Sequence, residues 1–455
     1  MLTVAGQDFG IPRGMRAAVW VLLVAACGDN GIPRESVFTG LSGSRIKLQW
    51  YLFQDGTRQL ETAAFYDTQL HVRCEPKPWT DGVTRCAPVA DPTVFRDGEC
   101  MLELGRATST RTPKYFIGHD RIDGELRAAR LLRAGDRVAE PPTQVFERRD
   151  GACVRISEPE TVAYYEVPIE DDVAKLAEVW SERIEGDRLG LQVLSSAEGL
   201  SAPIGYHDEA LALDCRPEVR PDGTSACVPT DAVVPAHFAD PYCEQRVVVA
   251  TAPPPTITMN DANGCAMYYG AGSEHASLLY RREGSACVRA VLGADEHAYR
   301  VGAPLDLAPV ERIVEAEPDH RLQRIAIAAG HLLTLADHLH DTATRTDCRS
   351  YGNGELAVCV PTNAVAAAHV YANDKCGREL LVADLPRVQC SSSKFAVADG
   401  ISIHAIGTPY PDALYTLDPS GVCRLRSTVS DVVPHLLGPP IPPMTFVAGV
   451  VFSER

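Results

Sequence analysis

A chain of 455 residues with a formal net charge of −17 and 45% hydrophobic residues has a globular composition and room for several domains. Its acidity excludes a broad nucleic-acid-binding surface, because phosphates are bound by clustered Lys and Arg, and no nucleic-acid partner is expected. Fifteen cysteines indicate either metal ligands in a reducing compartment or disulfides in an oxidising one.

The N-terminal segment has the pattern of an export signal. The basic Arg16 is followed by ten apolar residues, 17–26, and then by Cys27. Ten apolar residues are too few to span a bilayer, but they suit the hydrophobic region of a signal peptide. The residues before Met15 lack this character, so Met15 is a second candidate for the true start. We predict a signal peptide over residues 1–26.

The residues LVAAC, 23–27, resemble the lipobox of bacterial lipoproteins, in which small residues precede an acceptor cysteine. By this resemblance Cys27 becomes the lipidated, palmitate-type anchor of the mature protein, and residues 27–35 form its tether. Several acyl chains on one terminus anchor stably where a single chain is marginal. We therefore expect an extracytoplasmic location on a bacterial membrane, and we favour the outer membrane. The alternative is a plain cleaved signal peptide followed by a coincidental cysteine.

Three repeats of about 135 residues follow the tether, over 36–176, 177–310 and 311–455. Each repeat contains an Arg followed by Ile or Leu, an Asp 20 to 22 positions later, and two cysteines that flank a turn. These residues are Arg45, Asp67, Cys74 and Cys86 in repeat 1, Arg188, Asp208, Cys215 and Cys227 in repeat 2, and Arg321, Asp341, Cys348 and Cys359 in repeat 3. Because one spacing recurs at so many positions, we interpret the chain as a triplication.

The paired cysteines of each repeat flank residues that favour a tight turn, such as Asp81-Gly82 and Asp222-Gly223. Antiparallel strands on either side would bring the two Cα atoms within disulfide range, about 4.4–6.8 Å. A loop of this length gains on the order of 3 kcal/mol from the cross-link. Structural zinc sites need Cys-x2–4-Cys pairs, which the sequence lacks. The predicted hairpin disulfides are Cys74–Cys86, Cys215–Cys227 and Cys348–Cys359.

The other cysteines are assigned by their proximity in the sequence. Repeats 2 and 3 each carry one more cysteine than repeat 1, so a free thiol, a bond between repeats and an error of register all stay open. The pairs assigned in this way are Cys243–Cys265 and Cys376–Cys390. Cys153 is then the nearest unassigned candidate for Cys100, and Cys287 and Cys423 are left over, with a bond between them as an open possibility.

The secondary-structure pattern is that of many short strands. Runs such as 44–53 and 321–329 are rich in branched and aromatic residues and end at Gly, Pro, Asp or Asn. Residues 172–184 fit a helix or a strand, and we favour a strand, whereas residues 364–372 fit one short helix. The C-terminal run 446–455 resembles the strand that opens repeat 1, and we expect it to close a ring.

We therefore predict a mainly β fold of three tandem repeats with many short antiparallel strands. One propeller blade takes ~40–50 residues, so each repeat has the length of two blades with long loops. A six-bladed β-propeller is one architecture that follows, because closure of a ring removes exposed sheet edges. Three separate disulfide-rich β-domains are the alternative.

The complete pattern resembles a known group of proteins. Its elements are Asp-x6-Cys, a Gly-containing turn, Cys-x-Pro, and closing segments such as GACVR at 151–155. Together they resemble uncharacterised cysteine-rich repeat lipoproteins of myxobacteria over residues 36–455. The resemblance implies no catalytic residues, and repeat 1 departs from it because it lacks the additional cysteine.

The sequence lacks the usual short motifs of catalysis, nucleotide binding and metal binding. His338 and His340 alternate on a predicted strand near His331, so they are a candidate half of a metal site, although we favour exposed strand histidines. Residues 119–125 place acidic groups beside a glycine, in a pattern that fits a turn better than a calcium loop. We expect no metal and no cofactor. The recurring aspartates, interpreted as turn or capping groups, are Asp67, Asp208 and Asp341.

Two functions are compatible with these features. The favoured one is a rigid, membrane-anchored scaffold that binds a carbohydrate, peptide or protein partner and is not an enzyme. The alternative is a surface or periplasmic hydrolase whose site is assembled between repeats, which requires unlike polar residues that converge in one pocket with perturbed pKa values. One deep, asymmetric polar cleft favours catalysis, whereas three matching grooves favour binding.

Overall fold

The computed structural model describes residues 37–453 apart from short gaps. The gaps are residues 90–92, 108–112, 123–124, 141, 150–151, 157–161, 221–222, 262–263, 284–285, 294, 353–355, 387–392, 399–401, 418–421, 427–431 and 442–445. The described part of the chain is mainly β, with short strands in sheets that are antiparallel apart from one parallel pairing in repeat 3, one 3-10 helix at Val173–Lys175 and no α-helix. The predicted fold class is confirmed.

Each repeat consists of two parts, a hub sheet and an outer module. The hub strands that repeat 1 supplies are β1 (Ile46–Phe53), β2 (Arg58–Asp67), β3 (Val72–Pro78) and β4 (Thr84–Pro88). The strands of its outer module are β5 (Val94–Phe95), β6 (Glu103–Ala107), β7 (Tyr115–Ile122), β8 (Glu125–Arg133), β9 (Val145–Arg149), β10 (Ala152–Ile156), β11 (Ala163–Glu166) and β12 (Ile169–Asp171). This module has two sheets, in the orders β10-β9-β5-β6-β11 and β12-β8-β7.

Repeat 2 follows the same plan. Its hub sheet contains β13 (Trp180–Ile184), β14 (Leu189–Ser195), β15 (Ser201–Asp208), β16 (Leu213–Val219) and β17 (Ser225–Pro229), in chain order. Its outer module contains β18 (His237–Phe238), β19 (Arg246–Ala250), β20 (Ile257–Asn260), β21 (Ala266–Glu274), β22 (Leu279–Glu283), β23 (Ala286–Ala290) and β24 (His297–Pro304). These seven strands form one sheet in the order β20-β21-β24-β19-β18-β22-β23.

Repeat 3 repeats the hub and outer arrangement once more. Its hub strands are β25 (Glu311–Glu315), β26 (Leu322–Ala329), β27 (Leu332–Asp341), β28 (Thr346–Gly352) and β29 (Leu356–Pro361). The outer strands are β30 (Val365–Tyr371), β31 (Glu379–Pro386), β32 (Phe395–Ala398), β33 (Ser402–Pro409), β34 (Tyr415–Leu417), β35 (Cys423–Leu425) and β36 (Val432–Pro440). They form a seven-stranded sheet in the order β31-β36-β33-β32-β30-β34-β35, and β37 (Ala448–Ser453) ends the described chain.

The C-terminal strand completes the hub sheet of repeat 1. Strand β37 pairs with β1, with Gln49 opposite Ser453, and also with β29, with Ala357 opposite Gly449. It therefore occupies the place in repeat 1 that β13 and β25 occupy in repeats 2 and 3. The final run of the chain thus forms the closing strand expected from its sequence, and the hub strands of repeats 1 and 3 form one ten-stranded sheet.

The same backbone hydrogen bond joins each hub sheet to the next. In each repeat, the N–H of the second cysteine of the hairpin disulfide donates to a backbone carbonyl. That carbonyl lies just before the first strand of the following hub sheet. The three bonds are Cys86 to Ala177 at 2.9 Å, Cys227 to Ala308 at 2.9 Å, and Cys359 to Val447 at 3.2 Å. The three hub sheets are therefore linked in a cycle.

The hydrophobic cores of the hub sheets are shared in the same cyclic order. The core of repeat 1 is completed by Leu194 of repeat 2, and that of repeat 2 by Ile327 of repeat 3. The core of repeat 3 is completed by Tyr51 of repeat 1. Each of these residues is the sixth of its strand, in β14, β26 and β1. Because every core needs a neighbouring repeat, the chain does not form three separate domains.

The six-bladed propeller is not confirmed. The hub sheets have five strands per repeat, whereas the outer modules have seven or eight strands in one or two sheets, so the two kinds of unit differ. The short helix predicted over 364–372 is wrong, because Val365–Tyr371 forms β30 and pairs with β31. Alanine favours a helix in isolation, but pairing with neighbouring strands overrides a weak local preference.

The three predicted hairpin disulfides are present. Their Cα–Cα distances are 5.2 Å for Cys74–Cys86, 5.3 Å for Cys215–Cys227 and 5.2 Å for Cys348–Cys359. The turns that they span in repeats 1 and 2 contain Gly82 and Gly223, both with a φ of 83°. This left-handed conformation suits glycine, because glycine has no Cβ to clash with the backbone.

Each outer module has one equivalent disulfide. The three bonds are Cys100–Cys153, Cys243–Cys287 and Cys376–Cys423. The predicted pairs Cys243–Cys265 and Cys376–Cys390 are wrong. Cys100 is bonded to Cys153, its nearest unassigned candidate, and Cys287 and Cys423, which the sequence left over, are not bonded to each other. Cys265 is also disulfide-bonded, and Cys390 lies outside the described residues.

The reason for these errors is that strand pairing, not sequence proximity, brings the outer cysteines together. Cys243 follows β18, and β18 pairs with β22, where His237 lies opposite Arg281. Cys287 lies in β23, which forms a hairpin with β22. A pairing between strands some forty residues apart thus places the two sulfur atoms in contact.

Candidate functional site

The recurring aspartates form buried ion pairs with the recurring arginines. All three aspartates are at most 1% exposed. The Arg Nη2 to Asp Oδ2 distances are 2.7 Å for Arg45–Asp67, 3.0 Å for Arg188–Asp208 and 2.6 Å for Arg321–Asp341. Each aspartate also accepts hydrogen bonds from two backbone N–H groups of the following turn, for example those of Ala210 and Leu211. This agrees with the turn or capping role expected for them.

The arginines of these pairs also bind the segment that leads to the next repeat. Arg45 donates to the carbonyl of Lys175, and Arg188 donates to the carbonyl of Asp306. Burial raises the pKa of Asp341, but hydrogen bonds from Arg321 and the backbone outweigh this, so its pKa lies below the ordinary carboxyl value. The pairs are therefore structural clamps that engage the carboxylates of Asp67, Asp208 and Asp341.

The three candidate histidines do not lie together. His338 and His340 lie on the same face of β27, as expected, and both point at Asp347, at 3.7 Å and 2.9 Å. His331 is 53% exposed and lies 3.9 Å from Asp187. Arg312 also binds Asp347, and the part of the chain that the structure describes has no group of three or more His, Cys, Asp or Glu arranged to hold a metal. The side chains of residues 120–125, from the possible calcium loop, are not described.

A cleft of about 320 Å³ lies between the hub sheets of repeats 2 and 3. We call it the junction cleft. Its deeper part is lined by the buried apolar residues Leu191 and Ile327 and by Tyr206, whose hydroxyl contacts that of Thr334. Burial raises the pKa of Tyr206 to about 12, so this phenol stays protonated. The cleft also reaches Thr62 of repeat 1, so all three repeats contribute to its wall.

The rim of the junction cleft carries ion pairs from two repeats. From repeat 3, Asp337 contacts Arg349 at 2.7 Å and His338 at 2.9 Å. From repeat 2, Arg216 contacts Glu218 at 2.7 Å. Arg216 and Asp337 line the same cleft, and the positive charge of Arg216 helps to lower the pKa of Asp337.

A third carboxylate of the rim is Asp214 of repeat 2. It accepts a hydrogen bond from the side-chain amide of Gln192 and lies 2.7 Å from His207 Nδ1. Burial raises the pKa values of Asp214 and Asp337, but the hydrogen bonds and positive charges beside them lower both by more. Both groups are therefore ionised at neutral pH and present only acceptor atoms.

The alternation of histidines along the sequence points to His338 but not to the arginines and aspartates around it. The first cysteine of the hairpin disulfide stands in the sequence Asp-Cys-Arg at 214–216 and at 347–349, but in Arg-Cys-Glu at 73–75. The charges are thus inverted in repeat 1. That inversion was the available signal that the junction of repeats 2 and 3 differs chemically from repeat 1.

Comparison with known proteins gives a family but no function. The model of the family described as "Family of unknown function (DUF7481)" matches residues 20–446. The chain belongs to this family. No curated protein matches it, and no solved structure matches it. In the described residues, no helix has the length and apolar character needed to cross a membrane.

Proposed function

We propose that this protein is a lipid-anchored, extracytoplasmic scaffold that binds its ligand in the junction cleft. The observation that carries the proposal is that the two cleft walls belong to different repeats whose cores are shared. The walls cannot separate unless the core around Ile327 opens. A rigid, preformed cleft is what a binding site needs, because little conformational freedom is then lost when the ligand binds.

The proposed location depends on the disulfides and on the N-terminal sequence. Six disulfides with described partners are typical of oxidising compartments outside the cytoplasm. The lipobox-like LVAAC segment supports an anchor at Cys27 on a bacterial membrane. Of the bacterial membranes, we favour the outer one. Cys27 lies outside the described residues. The likeness to myxobacterial lipoproteins supports the same location.

A hydrolase site is less well supported. The junction cleft has both the unlike polar residues and the perturbed pKa values that a hydrolase site requires. However, the pKa values of Asp214 and Asp337 are lowered, whereas a general acid needs a raised value. His338 lies between two carboxylates, Asp337 and Asp347, and the hydroxyl of Thr334 contacts Tyr206 instead. The described cleft thus lacks a nucleophile paired with a base.

The test is ligand-dependent thermal stabilisation of the full-length protein in detergent. Ligand binding to the folded state raises the melting temperature, and the rise grows with the logarithm of the ligand concentration above the dissociation constant. A library of small metabolites should contain compounds that raise it for the wild type but not for Arg349→Ala. The matched control is Arg281→Ala, because the Arg281–Glu283 pair has similar exposure, 57%/53% against 55%/44% for Arg349–Asp337. Turnover of a bound compound, or shifts equal in all three proteins, would count against the proposal.

A further inference from the structure

The ion pairs of the junction cleft restrict the charge of its ligand. Arg349 is paired with Asp337 and Arg216 with Glu218, whereas Asp214 is held by Gln192 and His207. Every carboxylate of the rim therefore already has a cationic or polar donor beside it. A cationic ligand would meet two guanidinium groups, and an anionic ligand would meet three carboxylates, so either would be repelled by part of the rim.

The same pairs place donors and acceptors side by side. A guanidinium has only N–H donors, and an ionised carboxylate has only acceptor oxygens. Two neighbouring hydroxyl groups can satisfy both at once, because one hydroxyl donates to the carboxylate while the other accepts from the guanidinium. The Arg349–Asp337 pair, with its atoms 2.7 Å apart and both side chains about half exposed, is arranged to do this.

Part of the remaining surface of the cleft is apolar, and the cleft is small. Pro203, Ile204 and Pro217 line it, and Ile204 is 38% exposed. Such residues pack against the C–H faces of a ring. A volume of about 320 Å³ lies at the small end of ligand sites, roughly 300–1,000 Å³.

We propose that the junction cleft binds a neutral, polyhydroxylated ligand of the size of a mono- or disaccharide. The proposal rests on the proposed binding function and narrows it to one chemical class. The sugar hydroxyls bridge the ion pairs of repeats 2 and 3, and the ring packs on Ile204 and the two prolines. Since the paired groups come from both repeats, neither repeat provides this site alone.

The experiment is saturation-transfer NMR and calorimetry on the full-length protein in detergent. The probes are glucose, galactose, mannose, N-acetylglucosamine and their common disaccharides, with the diammonium cadaverine and the anion citrate as charged probes. At least one sugar should bind. Its affinity should fall at least tenfold in Asp337→Asn and in Arg349→Ala, and change less than twofold in Arg281→Ala. Asp337→Asn keeps the side-chain shape, so it provides the test even if Arg349→Ala does not fold.

The other outcomes separate this proposal from the binding function. If only cadaverine or citrate binds, and the same variants weaken it, the saccharide class is wrong and the cleft is still a ligand site. If sugars bind equally to the wild type and the cleft variants, the site is elsewhere and the proposal is overturned. If no sugar binds while another metabolite stabilises the protein through Arg349, the class is again wrong and the binding function holds.

Discussion

Arg188 and Asp208 form an ion pair with an Nη2–Oδ2 distance of 3.0 Å, in which the aspartate side chain is 1% exposed. Arg188 precedes β14 and Asp208 ends β15, so the pair holds the hairpin at its base. Arg188 also donates to the carbonyl of Asp306, just before the hub sheet of repeat 3. One pair thus joins a hairpin to the start of the next repeat, and Arg45 of repeat 1 makes the equivalent contact with Lys175.

Asp208→Ala should destabilise the protein strongly. Removing one partner of a buried pair costs about 3–5 kcal/mol, because the other charge is left without compensation. Arg188 is 29% exposed, so we expect a loss near the lower end. Equilibrium denaturation followed by circular dichroism under non-reducing conditions measures it. The control is Asp306→Ala, whose side chain is 94% exposed and whose loss should be below about 1 kcal/mol. Equal effects of the two substitutions would contradict the clamp.

The Arg321–Asp341 pair should make stability depend on acid pH. The pKa of Asp341 is lower in the folded protein than in a free side chain, so its ionised form favours folding. This contribution is complete above the ordinary carboxyl pKa of about 3.9, and it is lost as the pH falls through the lower folded value. The melting temperatures of wild type and Asp341→Asn should therefore differ at neutral pH and converge below pH ~4. A difference that stays constant into strong acid would exclude this role.

The outer disulfides should stabilise more than the hub disulfides. Cys243–Cys287 closes a separation of 44 residues, and Cys215–Cys227 closes one of 12. In the chain-entropy model, these lengths correspond to about 4 and about 3 kcal/mol. Double Cys→Ser variants of each pair, compared by denaturant midpoint, measure the difference. Non-reducing peptide mapping of the wild type provides the control, since it should recover both pairs intact; Cys243 joined to Cys265 would refute the pairing.

A glycine at position 212 should stabilise the hairpin between β15 and β16. Ala212 has a φ of 52°, and the equivalent positions His71 and Arg345 have φ values of 54°. A left-handed conformation costs a residue with a Cβ roughly 1–2 kcal/mol, of which glycine recovers a part. Ala212→Gly should therefore gain about 1 kcal/mol. Ala210→Gly is the control, because Ala210 lies in the same turn without a positive φ, and this substitution should lower the stability. If Ala210→Gly were more stable than Ala212→Gly, backbone strain at Ala212 would be disproved.

The anchor proposal is tested by partitioning. The wild type should enter the detergent phase of a phase-separating detergent, whereas Cys27→Ser should stay in the aqueous phase. The two proteins should have equal melting temperatures, because Cys27 precedes the described fold. A wild type found wholly in the aqueous phase would end the proposal.

The hub of the fold could be read from the sequence to a large extent. Cysteines on both sides of a turn, as at Cys215 and Cys227, require only a local hairpin, and turn residues specify one. The arginines and aspartates were visible as a repeated spacing, but their contact was not, because it needs the register in which Leu189 lies opposite Asp208. Local patterns were thus sufficient to predict the hairpins. The contacts between residues far apart in the sequence depend on strand register, which local patterns do not specify.

The residues of the junction cleft could not be predicted from the sequence for a related reason. Asp337 and Arg216 belong to different repeats, and their proximity follows from the packing of whole hub sheets. No spacing within one repeat encodes that packing. The helix expected over 364–372 was wrong in the same way, since alanine-rich β30 is held by its pairing with β31.

The position of β37 sets an order of events during synthesis. The strand lies between β29 and β1, yet it is the last described part of the chain to leave the ribosome. Strand β1 therefore keeps an open sheet edge, an aggregation risk, until β37 has been synthesised. Folding of repeat 1 is thereby coupled to synthesis of a strand about 400 residues further along the chain. A chain truncated before β37 would leave one edge of β1 unpaired.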